Sequence, residues 1–450
     1  MALERQIARL ARILVDSENI SFDEAQARLR TLTLEVVVAP EAASPAAHAA
    51  ILTAVSVASR TFVGGVRVTG SIDQSPNSAL PLRAESLAEA AILAGAFGFD
   101  GCPSRKIFVG TNEAPAEAWA VSPWWSGWSA GIVKPGEVRW DAGDNPLPGI
   151  AAGALAVGAA FDAQRGRYSD VGSEVDLWPV GSGEIAPRFE EVLLPGALRL
   201  IGLGNLGQAF LWTLAALPYA DPAGVSLVLQ DHDKITEENW ATSVLVKSEV
   251  YGMLKTKVAE QWALDKGFDV RRLDCRLLAT DRVDVDNVDN NDPRLALSGV
   301  DKIEARKLMA KVGFDCIVDA GLGRTSSDFD KYRVTVFDRV RLIDEHFAGQ
   351  NDEPAGVAIP NGEAYQRLEE EIGSCGAAQI GGASVAAPYV SALAAAVAIS
   401  RVIAVASGCE CPQNEVGRLS FLAGRRLGPL TKVEGRGIWH AGKPDLRACY

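Results

Sequence analysis

The chain has no C-x-x-C pair, only four histidines and three methionines, and no surplus of positive charge. Each shortage excludes something. A four-cysteine zinc site needs paired ligands at short spacing. The seven cysteines (Cys102, Cys275, Cys316, Cys375, Cys409, Cys411 and Cys449) are too scattered to supply one. An odd count in a chain of this length is no disulfide framework either, and fits free thiols in a reducing cytoplasm. With 44 Lys+Arg against 57 Asp+Glu, the net charge is −13. Binding a phosphate backbone needs a basic face, so nucleic acid is not an expected partner. No apolar run is long enough to cross a bilayer. The best candidate, 385–407, is interrupted by Pro388 and Arg401 and reads as a buried helix. The N-terminal stretch carries charges throughout and lacks the apolar core of a signal peptide, so no membrane attachment is expected.

What remains is ordinary globular composition, 48% hydrophobic and 22% charged over 450 residues, enough for two or three domains. Residues 1–32 read as two helices, the second opened by a capping box of Ser21 and Glu24. Strands at 31–39, 61–70 and 106–110 enclose a small-residue helix at 87–98. A Trp-rich loop at 119–128 comes next, with rings that more often pack than bind, and then an Ala/Gly helix at 149–166. From Leu193 the pattern restarts. An apolar strand, a glycine turn and a helix occupy 197–217. Strands are expected at 225–233, 270–278, 315–323 and 334–338, and a helix from Val250 to Leu264. A polar crossover (342–375) leads to a second small-residue helix (385–405), and 417–424 reads as a further strand. The two small-residue helices hold the same relative place. This reads as a degenerate duplication, an α/β fold of two Rossmann-like copies.

The strongest chemical signal is Gly202-Leu-Gly204-Asn205-Leu206-Gly207, between strand and helix. Glycines there let a ligand approach the backbone, and the helix N-terminus offers amide donors to phosphate. Alone, with Asp231 at the next strand end, it fits an NAD ribose equally well. The polar residues beyond Asp231 favour a triphosphate. Asp233, Asn239, Lys255 and Lys257 have no use in a dinucleotide site, whereas lysines neutralise phosphates.

The run of Gly202 to Gly207, Asp231, Asp233, Asn239, Gly252 and Lys255 resembles the ubiquitin-activating enzyme family and its bacterial relatives ThiF and MoeB. Their pattern is G-x-G-x-x-G, then D-x-D-x(5)-N, then G-x-x-K thirteen residues after the Asn. The resemblance implies a Rossmann-like adenylation fold with tandem inactive (1–192) and active (193–450) copies. It implies ATP and magnesium, Asp231 on the ribose, and Asn239 and Lys255 on the phosphates. The family adenylates the C-terminal glycine of a ubiquitin-like protein. Two positions depart from the pattern. Thr242 stands where the family has Arg, and Leu322 where it has the magnesium Asp of D-C-T-D, which leaves Asp319 to hold the ion, with Asp328 and Asp330 as lesser substitutes.

Cys375, in Gly373-Ser-Cys375-Gly, resembles the cysteine that takes over the activated carboxylate as a thioester. A thiol at a helix start has a lowered pKa, and a thiolate attacks an acyl adenylate. The expected protein is thus a cytoplasmic, bacterial ubiquitin-activating-like enzyme passing its modifier to a conjugating-type enzyme, in a role compatible with antiphage defence. Dimerisation is left open. The rivals are a sulfur-carrier adenylyltransferase and a nucleotide-binding scaffold or NAD oxidoreductase.

Overall fold

The computed structural model describes residues 5–76, 80, 82–110, 119–137, 141, 143–167, 172–181, 184–283, 292–352, 362–382, 384–385, 387–434 and 439–449; at 371, 372, 375, 376, 378, 379, 382, 448 and 449 the backbone alone is described. Among them the strands form a six-stranded sheet, an eight-stranded sheet and a two-stranded ladder.

The chain opens with helices α1 (Ala8–Glu18) and α2 (Phe22–Leu29). Ser21 Oγ accepts the Glu24 amide, as the capping signature requires. Next come β1 (Thr33–Val38), α3 (Pro45–Ala58), β2 (Gly65–Gly70), α4 (Leu87–Ala94), β3 (Arg105–Val109), β4 (Ala120–Ser126), β5 (Ser129–Val133), α5 (Pro146–Gln164) and β6 (Glu174–Asp176). Their sheet order is β2-β1-β3-β4-β5-β6, parallel up to β4 and antiparallel beyond. The Trp-rich segment is therefore a hairpin strand, not a loop. Trp124, Trp125 and Trp128 are buried in it, so the rings are core.

Helix α5 is buried along nearly its whole length and packs on α3. Two glycines explain the closeness. A Cβ on Gly149 would lie 2.0 Å from Ala46 O, and one on Gly153 2.3 Å from Ala50 O. The backbones touch where any larger residue would hold them apart.

The second half contains β7 (Ala197–Ile201), α6 (Asn205–Ala215), β8 (Ser226–Gln230), α7 (Lys255–Lys266), β9 (Asp269–Leu273), β10 (Leu295–Ser298), α8 (Ile303–Val312), β11 (Cys316–Leu322), β12 (Lys331–Asp338), α9 (Ile343–His346), α10 (Glu363–Gly382), α11 (Pro388–Ala406), β13 (Cys411–Pro412), β14 (Asn414–Arg418), β15 (Phe421–Leu427) and β16 (Leu430–Thr431). The eight-stranded order is β15-β14-β12-β11-β10-β7-β8-β9, parallel from β9 to β11 and antiparallel beyond.

The six strands of the first sheet have counterparts in the second, which adds β9 and β15 at its edges. β2-β1-β3-β4-β5-β6 matches β8-β7-β10-β11-β12-β14, and α5 (between β5 and β6) matches α11 (between β12 and β14). The repeat read from two small-residue helices is a repeat of topology, and the α/β, Rossmann-like expectation holds. Helices α5 and α11 pack on each other, with α3 and α6 beside them. Contrary to the expectation that no apolar run is long enough to cross a bilayer, both reach that length and apolarity, yet 94% and 100% of their most apolar windows are buried here. Arg401 on α11 reaches across to Leu177 O at 2.7 Å, and the same guanidinium pairs with Glu415 at 2.6 Å.

Candidate nucleotide cleft

In an open parallel sheet, ligands bind beyond the carboxyl ends of the strands where the strand order reverses. In the second sheet that point lies between β7 and its neighbours β8 and β10. A cleft of about 900 Å³ opens there. The first sheet is tied differently past the ends of β1 and β2. There Gln74 Nε2 donates to Ala42 O and Ser71 O, beside buried His48.

The glycine turn is built for close approach. Gly202 has φ +84°, a left-handed conformation that glycine adopts without strain, and a Cβ there would sit 3.0 Å from Val300 Cγ1. Gly207 lies behind the turn, where a Cβ would be 2.1 Å from Gly202 O. It shapes the turn and is not among the residues that line the cleft. Gly204 has open space before it. Asn205, the first residue of α6, faces the cleft with both side-chain polar atoms buried and unpartnered, the condition of an amide awaiting a ligand.

Asp231, just past β8, bridges the turn to the strand end. Its carboxylate accepts the Leu203 amide at 2.7 Å and the Asp233 amide at 2.8 Å. Asp233 pairs with Lys255 Nζ at 2.8 Å and with His232 Nε2 at 3.2 Å. Burial pushes the Asp233 carboxyl up, but the Lys255 hydrogen bond and charge outweigh it and hold it below the usual carboxylate range. The Asp231-His232-Asp233 trio comes close enough to hold a metal ion, but its oxygens already serve amides and cations. His232 lines the cleft as well; β8 ends at Gln230, so strand alternation does not turn its ring away. Asn239 lines the cleft and its Oδ1 accepts the Thr236 amide at 2.9 Å.

The structure thus gathers Gly202, Gly204, Asn205, Leu206, Asp231, Asp233, Asn239 and Lys255 around one space. Lys257 is not among them. It is exposed on α7, roughly 200° around the helix from Lys255. The sequence places Cys375 at the start of the small-residue helix, which in fact begins at Pro388. Cys375 instead lies inside α10, two residues past a break at Gly373 (φ 77°, ψ 163°), and its side chain is outside the described residues.

Asp319 does not fit a metal ligand. It is fully buried and its oxygens are held by Ser298 Oγ (2.7 Å), Arg306 Nε (3.1 Å) and Arg333 Nη2 (2.7 Å). The strand beside the glycine strand is β10, not β11, and three residues past its end stands Asp301, exposed and lining the cleft. The spacing sought at Asp319 and Leu322 belongs to Ser298 and Asp301. Asp328 and Asp330 lie outside the lining, Asp328 capping the Thr325 turn and Asp330 bound to Arg418. A short β10 after an acidic run hides the match.

Arg9, on α1, also enters this cleft from the other half of the chain. Its Nε is buried without a hydrogen-bond partner, and burial draws its pKa down against the nearby charges of Glu238 and Asp301. No local signal in the sequence announces a residue that arrives from nearly two hundred positions away. Thr242, standing where the family pattern has Arg, lines the cleft as a buried residue. Arg276, Lys302 and Arg324 add further cations to the lining.

The fold defines a Rossmann-like α/β protein, with a crevice lined by polar residues at the strand ends of its second half. Family models for the BilD N-terminal domain and the BilD C-terminal domain match residues 33–175 and 194–409. The chain is 31% identical over 440 residues to the bacterial E1-like protein BilD of Collimonas sp. (strain OK412), covering 94% of this chain and 93% of that protein. It belongs to the BilD family of bacterial E1-like proteins. Among solved structures, E. coli MccB with ATP is 15% identical (TM-score 0.31), and MccB with succinimide 16% (TM-score 0.32). Each match covers 54% of this chain, which spans 64% of the length of MccB.

Proposed function

We propose that this protein uses ATP to adenylate the C-terminal carboxylate of a ubiquitin-like protein ending in glycine, and then holds it on Cys375 as a thioester for a conjugating-type enzyme. The observation that carries the reading is the convergence of Arg9 and Lys255, with the unpartnered Asn205 amide, on the glycine turn whose neighbour is Asp231. A dinucleotide carries a diester pyrophosphate and needs few cations, whereas a triphosphate needs several. Membership of an E1-like family supports the same chemistry.

In this reading Asp231 accepts a ribose hydroxyl, and amides at the start of α6 and the Asn205 side chain take phosphate oxygens. Lys255 leaves or shares its pair with Asp233 to neutralise the polyphosphate, and Arg9 closes over it from α1. Asp301 is the carboxylate suited to hold magnesium, a hard ion that commonly takes one or two carboxylates plus substrate phosphates. When bound, the ion would neutralise charge on the phosphates. The carboxylate oxygen of the modifier attacks the α-phosphorus, the bond to the bridging oxygen breaks, and pyrophosphate leaves. The Cys375 thiolate then attacks the acyl carbon and AMP departs. Operation in the cytoplasm and within an antiphage system is carried over from the family resemblance alone.

ATP–pyrophosphate exchange that depends on a glycine-ended ubiquitin-like protein tests the first step. Exchange should vanish in Lys255→Ala. A reductant-sensitive adduct with the modifier should form in the wild type and be absent in Cys375→Ala, which should still exchange. Exchange unaffected by Lys255→Ala contradicts the assignment.

A further inference from the structure

Asp319, displaced from the metal site, sits at the centre of a buried network. Its carboxylate accepts Ser298 Oγ at 2.7 Å, Arg333 Nη2 at 2.7 Å, and Arg306 Nε at 3.1 Å on each oxygen. Those bonds occupy most of its lone pairs and are charge-assisted. Arg306 then turns its other N–H groups toward the cleft. Nη2 donates to Val300 O at 2.5 Å and to Ala320 O at 3.5 Å, and Nη1 to Asp301 O at 3.4 Å. A guanidinium is planar, so fixing one edge fixes the other. Phe347 lies against the guanidinium groups of both Arg306 (5.5 Å) and Arg333 (5.1 Å) and closes the network off.

The segment so held is Gly299-Val300-Asp301, the turn that carries the cleft carboxylate. Its other side is fixed to the glycine turn. The Gly299 amide donates to Ile201 O at 2.9 Å, and Val300 lies where a Gly202 Cβ would begin to crowd. The turn is thus clamped between the nucleotide turn and one buried guanidinium, whose orientation depends on Asp319.

We infer that Arg306 and Asp319 are positioning residues for Asp301: the buried pair sets where the turn presents its carboxylate to the metal–triphosphate complex. This rests on the proposed nucleotide site. Asp319 touches neither metal nor substrate; it acts through Arg306.

The test is equilibrium binding of a fluorescent ATP analogue to the full chain, in EDTA and in magnesium, read as the ratio of the two Kd values. Lost outer-shell support for a metal ligand costs about 10–100-fold in metal affinity. Asp319→Asn should therefore lose roughly tenfold or more of the metal enhancement while keeping Kd in EDTA within about twofold. Asp301→Asn should lose the enhancement too, and the Asp301→Asn/Asp319→Asn double variant should lose no more than Asp301→Asn alone, because both changes act on one interaction. Ser298→Ala removes a single hydroxyl from the network and should give a partial loss; it decides the matter if Asp319→Asn does not fold. The inference is overturned if Asp319→Asn and Ser298→Ala retain the wild-type ratio. Equal weakening in EDTA and magnesium, which marks a merely structural role, or independent losses in the double variant, would overturn it as well. Wild-type protein that binds the analogue under neither condition overturns the nucleotide reading itself, and this inference with it.

Discussion

At the level of single residues, the cleft is a competition between a pair already made and one to be made. Lys255 is held by Asp233 in this structure. A triphosphate offers it more negative charge in a partly enclosed space, which favours exchange of partners. Lys255→Ala should therefore weaken ATP binding by about 2–3 kcal/mol, the worth of a charge-assisted contact, with little effect on folding, as calorimetry and thermal unfolding can check. Arg9 makes a different case. Its Nε has no hydrogen-bond partner, so Arg9→Met should leave thermal stability nearly unchanged and still cost roughly tenfold or more in ATP affinity. An unchanged affinity would place the phosphates elsewhere. The residues legible in the sequence are those whose spacing is local. Asp231, Asn239 and Lys255 come after one strand and one turn, and strand and helix geometry brings them together. Arg9 and Asp301 are not legible because chain topology alone unites them with the others, and Asp319 misleads because strand adjacency is invisible in a linear run. Lys257 misleads because nearness to Lys255 in sequence ignores the turn of the helix.

Secondary-structure elements show the same division. Helices α5 and α11 are readable from composition, since segments this apolar and small must be buried somewhere. Their partners are not readable, because the contact of α5 with α3 depends on Gly149 and Gly153 facing particular carbonyls. Gly153→Val should overpack this seam and destabilise the protein by about 2–4 kcal/mol in urea unfolding. A neutral effect would mean that the helices separate without loss. The Trp segment reads as a loop because Pro123 and clustered rings obscure alternation. It forms a hairpin because the rings have a core to enter. Strand β10, four residues long, carries too little periodicity to be seen, and it is the strand that leads to Asp301.

The whole molecule is held together by buried charge as well as by helix packing. Arg401 links α11 to Leu177 O of the first half and to Glu415 of the second, while Arg425 and Tyr332 also bind Glu415. Removing one partner of a buried pair strands the other, so Glu415→Ala should cost about 3–5 kcal/mol. Near this seam, burial and the charge of Asp330 push Asp162 up to about 6, against the pull of Arg165. A carboxyl raised in the folded state adds stability that is present in full below its unfolded value and is lost as pH rises through about 6. Wild type should therefore gain on Asp162→Asn by on the order of 2–3 kcal/mol between pH 7.5 and pH 4; a constant difference across that range contradicts the assignment.

Every role proposed for the second half requires that the crevice between β7, β8 and β10 hold a triphosphate. Isothermal titration of the full chain with magnesium ATP and, separately, with NAD tests this requirement head-on. Saturable heat is expected with ATP, sharply reduced in Lys255→Ala and Arg9→Met, and none with NAD. Saturable heat with NAD and none with ATP would contradict it.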